Sequence, residues 1–168
     1  EAKDSVAEIA YSRGINPLDL MYELLLENGG KELFYEPLGG YPGYSLEYQR
    51  KLMEHPNVLF GLSDGGAHCG VIADAGMPTF IMTHWGRDRS RGGKMALEFI
   101  VKSLTSSTAQ MFGMFDRGQL TEGMIADINV IDFESLRLFR PEAIFDLPAG
   151  GRRLVQRVQG YDLTIKAG

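Results

Sequence analysis

The first thirty residues carry apolar side chains at helical spacing. One short pattern, Val6–Ala10, is ended by Gly14, which favours a helix of about two turns. Asn16 then has the properties of an N-cap, and Pro17 suits the first helical position. The apolar body that follows predicts a second helix, which stops at Gly29-Gly30.

The middle of the chain has the signals of one short helix followed by one buried strand. Ser45 is predicted to cap a short helix that runs through Met53. After a break at His55-Pro56-Asn57, the run Val58–Leu62 is short and almost continuously apolar, which is expected of a strand buried on both faces of a parallel sheet. Ser63–Gly66 would then lie at the carboxyl end of that strand.

Further along, a Gly- and Arg-rich stretch through Gly93 is interpreted as loop. Apolar residues at helical spacing from Ala96 to Leu104 predict a helix, and Thr105 is predicted to cap one more, which Gly113 ends.

From Ala126 onward the pattern alternates with a period of two. Ile128 and Val130 alternate with polar residues, and so do Leu163 and Ile165, as in β-strands. We therefore predict an α/β part over residues 1–115 and a β-rich part over 116–168. The last residues resemble the turn after one arm of a hairpin, so we expect the sequence to be truncated there.

Composition narrows the possible partners. The 168 residues are 44% apolar and 23% charged, which is typical of a globular domain. A net charge of −5 offers no general attraction for nucleic acid or an anionic membrane, so neither is an expected partner. The absence of a long apolar run and the single cysteine, Cys69, favour a cytoplasmic protein as the default.

The stretch Gly61–His68 is the best candidate for chemistry. It places Asp64 where a parallel strand ends, the position at which α/β folds build active sites. A carboxylate there can bind a hydrolytic metal ion and accept the proton of the attacking water. The alternative is a tight turn in which Asp64 bonds its own backbone.

This stretch resembles the strand-end aspartate signature of the amidohydrolase superfamily. A downstream series is similar in content and order to the one that closes those chains: Leu104-Thr105, Ala109, Phe112-Gly113, Asp116-Arg117-Gly118, Gly123 and Ala126-Asp127. Two later pieces, Asp146–Gly151 and Gly160-Tyr161, resemble the N-acyl-D-amino-acid deacylase, or D-aminoacylase, branch in particular. The resemblance covers Val58 to Gly168.

The resemblance implies the C-terminal part of a (β/α)₈ TIM-type barrel, followed by a segment of a small β-sandwich. It implies that Asp64 is a metal ligand and the general base, which later protonates the leaving amine. Zn²⁺ is the implied ion in the full-length parent. The family's His-x-His pair and its other ligands are absent from this sequence, so we expect the chain to be inactive alone.

Other residues are candidates for substrate contacts. His68 follows Asp64 by four residues and is either a ligand contact or an ordinary loop histidine. Arg87 and Arg89 carry guanidinium groups that bind carboxylates, which an N-acyl amino acid substrate has; the alternative is a charged loop in which Asp88 pairs with a neighbour.

A zinc site is conceivable from ligand types alone. Its members would be Asp64, His68, Cys69 and His84, although their spacing matches no known motif.

We therefore expect a parent enzyme that hydrolyses the amide bond of N-acyl amino acids, of D configuration by resemblance. One alternative is a cyclic amidase similar to dihydroorotase or hydantoinase. Another is a non-catalytic oligomerisation module. An exposed barrel edge would favour pairing with a second copy, so a homo-oligomer is expected.

Overall fold

The computed structural model describes residues 2–37, 39–66 and 68–168. The chain divides into two compact units, Glu1–Pro56 and Asn57–Gly168. Each unit has its own local packing. Helices and antiparallel strands are both present, which confirms a mixed helix and strand fold.

The first unit is helical. Its helices are α1 (Val6–Arg13), α2 (Pro17–Gly30) and α3 (Glu47–Met53), with 3-10 turns at Ala2–Asp4 and Pro42–Tyr44. α1 and α2 pack on each other, and Ala10 and Leu20 are the residues of this unit buried to about 1% exposure or less.

The predicted helix signals of this unit act as expected. The Asn16 side chain accepts a hydrogen bond of 2.8 Å from the backbone N–H of Leu18, and Gly14 ends α1 in the left-handed conformation. α3 begins one residue later than the Ser45 prediction requires. Leu46 holds the cap position, while the Ser45 hydroxyl accepts a 3.2 Å bond from the N–H of Glu47.

The run Val58–Leu62 does not form the predicted strand. No helix or strand is assigned to it, and in the described part of the chain every paired strand begins at Ile128 or later. A strand needs a neighbour that pairs with its backbone N–H and C=O groups, and apolar character alone does not supply one. Instead, Phe60 packs edge-to-face on Phe99, with the ring centroids 6.3 Å apart.

The prediction of a loop through Gly93 is also wrong in part. A 3-10 turn (Asp74–Gly76) leads into α4 (Met77–Phe80), which continues directly into a π-helical segment, Ile81–Asp88. Pro78 is tolerated because the first turn of a helix does not need its N–H. The buried side chains of this segment outweigh the helix-breaking composition that suggested a loop.

Two further helices match their predictions. They are α5 (Leu97–Leu104) and α6 (Ser106–Met111). Thr105 precedes α6 as predicted, although its hydroxyl donates to the carbonyl of Val101 at 2.7 Å rather than capping α6. Gly113 follows α6 in the left-handed conformation.

The β-rich end of the chain is a nested antiparallel arm. Its strands are β1 (Ile128–Ile131), β2 (Arg137–Leu138), β3 (Glu142–Leu147), β4 (Gly151–Val155), β5 (Val158–Gln159) and β6 (Tyr161–Ile165). β1 pairs with β6, β2 with β5, and β3 with β4, around a tip at Pro148–Gly150. The register sets Ile128 opposite Ile165, which confirms the strands predicted from the alternating pattern; the partner of β6 is β1.

The described helices contain none that combines the length and the hydropathy required to cross a membrane.

Candidate functional site

Asp64 is exposed and follows the run Val58–Leu62 by two residues, directly before the turn at Gly65-Gly66. Its φ of 51° is in the left-handed region, which aspartate tolerates better than most residues. Its side chain bonds to no other described residue, so the alternative of a carboxylate tied to its own loop finds no support among those residues. Ala67, inside the stretch Gly61–His68, lies outside the described residues.

His68 is exposed and forms a turn with its own backbone. Its φ is 45°, and its carbonyl oxygen accepts hydrogen bonds from the N–H groups of Val71 at 2.8 Å and Ile72 at 3.0 Å. These bonds define the loop by main-chain groups alone. None of these bonds involves the imidazole, and the role of His68 in substrate contact stays a prediction.

The same loop is attached to the β arm at its next two residues. The N–H of Leu154 donates to the carbonyl of Cys69 at 2.7 Å, and Arg152 Nη2 donates to the carbonyl of Gly70 at 2.8 Å. Both acceptors are backbone groups, so this contact depends on the course of the loop and not on its side chains. Strand β4 thus helps to position the segment that carries His68.

The described residues do not complete a metal site. They contain no group of three or more His, Cys, Asp or Glu side chains arranged to hold an ion. Zinc sites use three or four such ligands. The set Asp64, His68, Cys69 and His84 does not converge in this way, and Asp64 remains a single candidate ligand.

Arg87 has its guanidinium group fully occupied. Two of its N–H groups form a bidentate pair with Asp88, at 2.6 and 3.0 Å. The others donate to the carbonyls of Phe133, of Glu134 at 3.0 Å and of Leu136 at 2.8 Å. These bonds join the π-helical segment to the turn after β1.

The pair between Arg87 and Asp88 also sets their ionisation. The hydrogen bond to Asp88 raises the pKa of Arg87, and the same bond lowers the pKa of Asp88. Both groups are therefore charged over a wide pH range. This ion pair is the one expected if residues 87–89 are a charged loop in which Asp88 pairs with a neighbour.

Arg89 is buried, with 6% of its surface exposed. Its guanidinium carbon lies 4.5 Å from the centroid of the Trp85 ring, and Nη1 donates to the carbonyl of Gly93 at 3.0 Å. The structure thus places Arg87 and Arg89 two residues apart with different partners. It does not bring either into contact with Asp64 or His68 through any described hydrogen bond.

A second feature is a cleft of about 400 Å³ in the same unit. One wall is the helical stretch from Phe80 to Asp88, and the other is formed by residues 136–141 with Gln156. None of its lining residues belongs to the Asp64 loop. The charged residues at its walls are Arg87, Asp88, Arg137 and Arg140.

His84 lines this cleft and is the residue that sequence reasoning valued too little. Its ring stacks on Phe80, with centroids 4.9 Å apart and planes 6° apart, and meets Trp85 edge-on at 5.0 Å. The Nε2 atom is buried without a hydrogen-bond partner among the described residues. The spacing of four between Phe80 and His84 was a usable signal, because such residues meet on one face of a helix.

Burial lowers the pKa of His84, and the positive charge of Arg89 lowers it further, against a smaller opposite effect of Asp88. The imidazole is therefore neutral at pH 7. A neutral ring carries one N–H donor and one acceptor, so it can bind a polar group without adding charge to the cleft.

Comparison with known proteins decides the family. The amidohydrolase family model matches residues 3–168, nearly the whole chain. This chain belongs to the amidohydrolase family. Its relatives include an uncharacterized protein of Mycobacterium bovis and uncharacterized proteins from two strains of Mycobacterium tuberculosis, each 31% identical over 169 residues.

The alignment with these relatives covers 97% of this amidohydrolase-family chain but 26% of each relative, so the chain spans about a quarter of their length. No solved structure matches it. Family membership supports a hydrolase in general.

Proposed function

We propose that the protein containing this chain hydrolyses the amide bond of N-acyl amino acids, of D configuration, as in the D-aminoacylase-like branch of the amidohydrolases. The observation that carries the proposal is the exposed carboxylate of Asp64, within the Ser63-Asp64-Gly65 signature of a chain that belongs to this family. The later pieces Asp146–Gly151 and Gly160-Tyr161 point to this branch in particular.

In this proposal Asp64 moves the proton. Its carboxylate takes the proton of the attacking water and then returns it to the nitrogen of the leaving amine, which departs poorly unless protonated. A divalent ion, Zn²⁺ by resemblance, would lower the pKa of the water when bound. Asp64 is the one ligand we assign to it, because the described residues do not form a complete site.

His68 is the stronger candidate for a substrate contact. It is exposed, and the loop it belongs to is held by backbone bonds that leave its ring at the surface. Arg89 is buried, and binding of the substrate carboxylate by Arg87 would require it to give up carbonyl partners such as that of Leu136. That exchange has a cost, since those carbonyls would lose their donors.

We also propose the architecture that the family resemblance implies. Residues 1–115 would belong to the last units of a (β/α)₈ barrel, and residues 116–168 to a small β-sandwich. The complete protein would associate with a second copy of itself. Crystallography or solution scattering of the complete gene product tests both statements.

The test of function uses the complete gene product that contains this sequence. Bound metal is measured first, and hydrolysis of N-acetyl-D- and N-acetyl-L-amino acids is then compared with that of dihydroorotate and hydantoin. We expect the D-amino acid derivatives to be hydrolysed fastest. Faster turnover of the cyclic amides would instead favour the cyclic amidase, and no turnover of any of them would favour a non-catalytic module.

Two substitutions separate chemistry from folding. Glycine suits the left-handed backbone at this position, so we expect Asp64→Gly to fold and to lower kcat by about 10²- to 10⁴-fold, the usual contribution of a general base. Asp74→Asn changes another exposed aspartate in the same unit and should leave kcat unchanged. Equal activity of the Asp64→Gly variant and the wild type would remove Asp64 from the mechanism.

A further inference from the structure

The cleft between the helical stretch and residues 136–141 has an unbalanced charge. Of the charged groups at its walls, Arg87 and Asp88 neutralise each other as a bidentate pair. Arg137 and Arg140 remain, and neither guanidinium group pairs with a carboxylate in the part of the chain that is described. Two positive charges therefore face the cleft without a counter-charge.

The guanidinium group of Arg137 is already oriented. Its central carbon lies 4.9 Å from the centroid of the Phe139 ring, on which it stacks. Stacking uses the face of the group and leaves its N–H edge for a hydrogen-bond acceptor. The backbone next to it is held as well, because Gln156 Nε2 donates to the carbonyl of Phe139 at 2.9 Å.

The remaining walls are apolar and accessible. Phe80 and Phe139 are 39% and 37% exposed, while Leu136, which also lines the cleft, is fully buried. The imidazole of His84 stacks on Phe80, and its buried Nε2 has no described hydrogen-bond partner. A buried polar atom of this kind calls for a partner, and none of the described residues supplies one.

The size of the cleft suits a small molecule. Its volume of about 400 Å³ falls within the range of roughly 300–1,000 Å³ that is usual for such sites, and it combines apolar walls with a few polar groups. We propose that this cleft binds an organic carboxylate that carries an aryl or alkyl group. The carboxylate would pair with Arg137 and Arg140, and the apolar part would lie against Phe80 and Phe139.

The proposal does not depend on the proposed function, because no residue of the Asp64 loop lines the cleft. Benzoate serves as the probe in isothermal titration calorimetry with the purified protein. Benzamide has the same shape without the charge, and cyclohexanecarboxylate has the charge without the aromatic ring. We expect benzoate and cyclohexanecarboxylate to bind, and benzamide to bind at least ten-fold more weakly.

Variants locate the binding site. Arg137→Gln and Arg140→Gln are each expected to weaken benzoate binding about ten-fold, the usual effect of losing a charged hydrogen bond. Arg13→Gln, an exposed arginine at the end of α1, is the matched control and should not change the affinity. Thermal melts check that all three variants are folded.

A spectroscopic signal gives a second, independent readout. With ¹⁵N-labelled histidine, the Nε2 resonance of His84 should shift on addition of benzoate, while that of His55 should not. Unchanged affinity in both arginine variants, equal binding of benzamide, or equal binding of inorganic phosphate would each overturn the proposal. Loss of benzoate binding in Asp64→Gly would also overturn it, since the probe would then occupy the Asp64 site.

Discussion

The backbone N–H of Leu154 donates a 2.7 Å hydrogen bond to the carbonyl oxygen of Cys69. This bond joins the middle of β4 to the loop that begins at Asp64 and contains His68. The neighbouring bond from Arg152 to Gly70 adds a second attachment at 2.8 Å. The conformation of the candidate catalytic loop therefore depends on a strand that lies far along the chain.

Arg152→Gln should loosen this loop. The substitution removes the guanidinium group that donates to the carbonyl of Gly70. We expect the backbone amides of Val71 and Ile72 to exchange with solvent faster. We also expect the free energy of unfolding to fall by about 1 kcal/mol. Hydrogen exchange followed by mass spectrometry and urea titration measure the two effects. Arg13→Gln is the control, and equal exchange in the two variants would show that Arg152 does not hold the loop.

Gly160→Ala should destabilise the protein through a backbone clash. A Cβ at this position would lie 2.6 Å from the Cα of Leu136 and 3.0 Å from the carbonyl oxygen of Asp132, and the backbone has a φ of 95°. Gly123→Ala is a matched control, because Gly123 has a similar φ of 87° but open space around it.

Both glycine variants carry the cost of a left-handed alanine, so the difference between them isolates the clash. We expect Gly160→Ala to lose about 2 kcal/mol more than Gly123→Ala in urea denaturation, as overpacking of a rigid backbone usually costs. Equal losses in the two variants would mean that the backbone at Asp132 and Leu136 can move away from position 160 at no cost.

Asp127 should make stability depend on acid pH. Its carboxylate accepts bonds from Lys166 Nζ at 2.7 and 2.8 Å and from the N–H of Ala167 at 3.0 Å. These bonds lower the pKa of Asp127 below its ordinary 3.8. The bond from Lys166 has the largest effect, and the bond from Ala167 has the next largest. A carboxyl group with a lowered pKa in the folded state stabilises the protein above its unfolded pKa, and this contribution is lost as pH falls through the folded pKa.

The variant Asp127→Asn removes this contribution. Its unfolding free energy should be lower than that of the wild type near neutral pH, and the difference should shrink as the pH falls below about 4. Asp162→Asn, on β6, is the control, because Asp162 pairs with no described cation. Its difference in unfolding free energy from the wild type should not shrink as the pH falls. Urea titrations between pH 2.5 and 7 test both; a constant difference for Asp127→Asn would contradict the linkage.

Local signals predicted several elements well. α1 ends at Gly14 and α2 begins after Asn16 at Pro17, as predicted, because a cap acts through bonds to its immediate neighbours. The alternation around Ile128 and Ile165 identified β1 and β6 for a similar reason, since a period of two places one set of side chains on one face.

The errors occurred where local and distant interactions compete. Val58–Leu62 has the composition of a buried strand, but no described strand pairs with it. The stretch from Met77 to Asp88 contains proline and glycine, yet it is helical because Ile81, Met82 and Trp85 are buried in the unit. Composition describes what a segment prefers alone and not what packs against it.

For the candidate site, the sequence singled out Asp64 and His68, since the motif and its spacing are contiguous in the chain. It also identified the family, which the family match confirms. The alternative in which Asp88 pairs with a neighbour did anticipate the pair of Arg87 with Asp88. The other partners of Arg87 could not be foreseen, because they are backbone carbonyls of residues 133, 134 and 136, and any residue type can supply such an acceptor. The cleft beside His84 likewise required coordinates, since its two walls come from separate parts of the chain that meet only through packing.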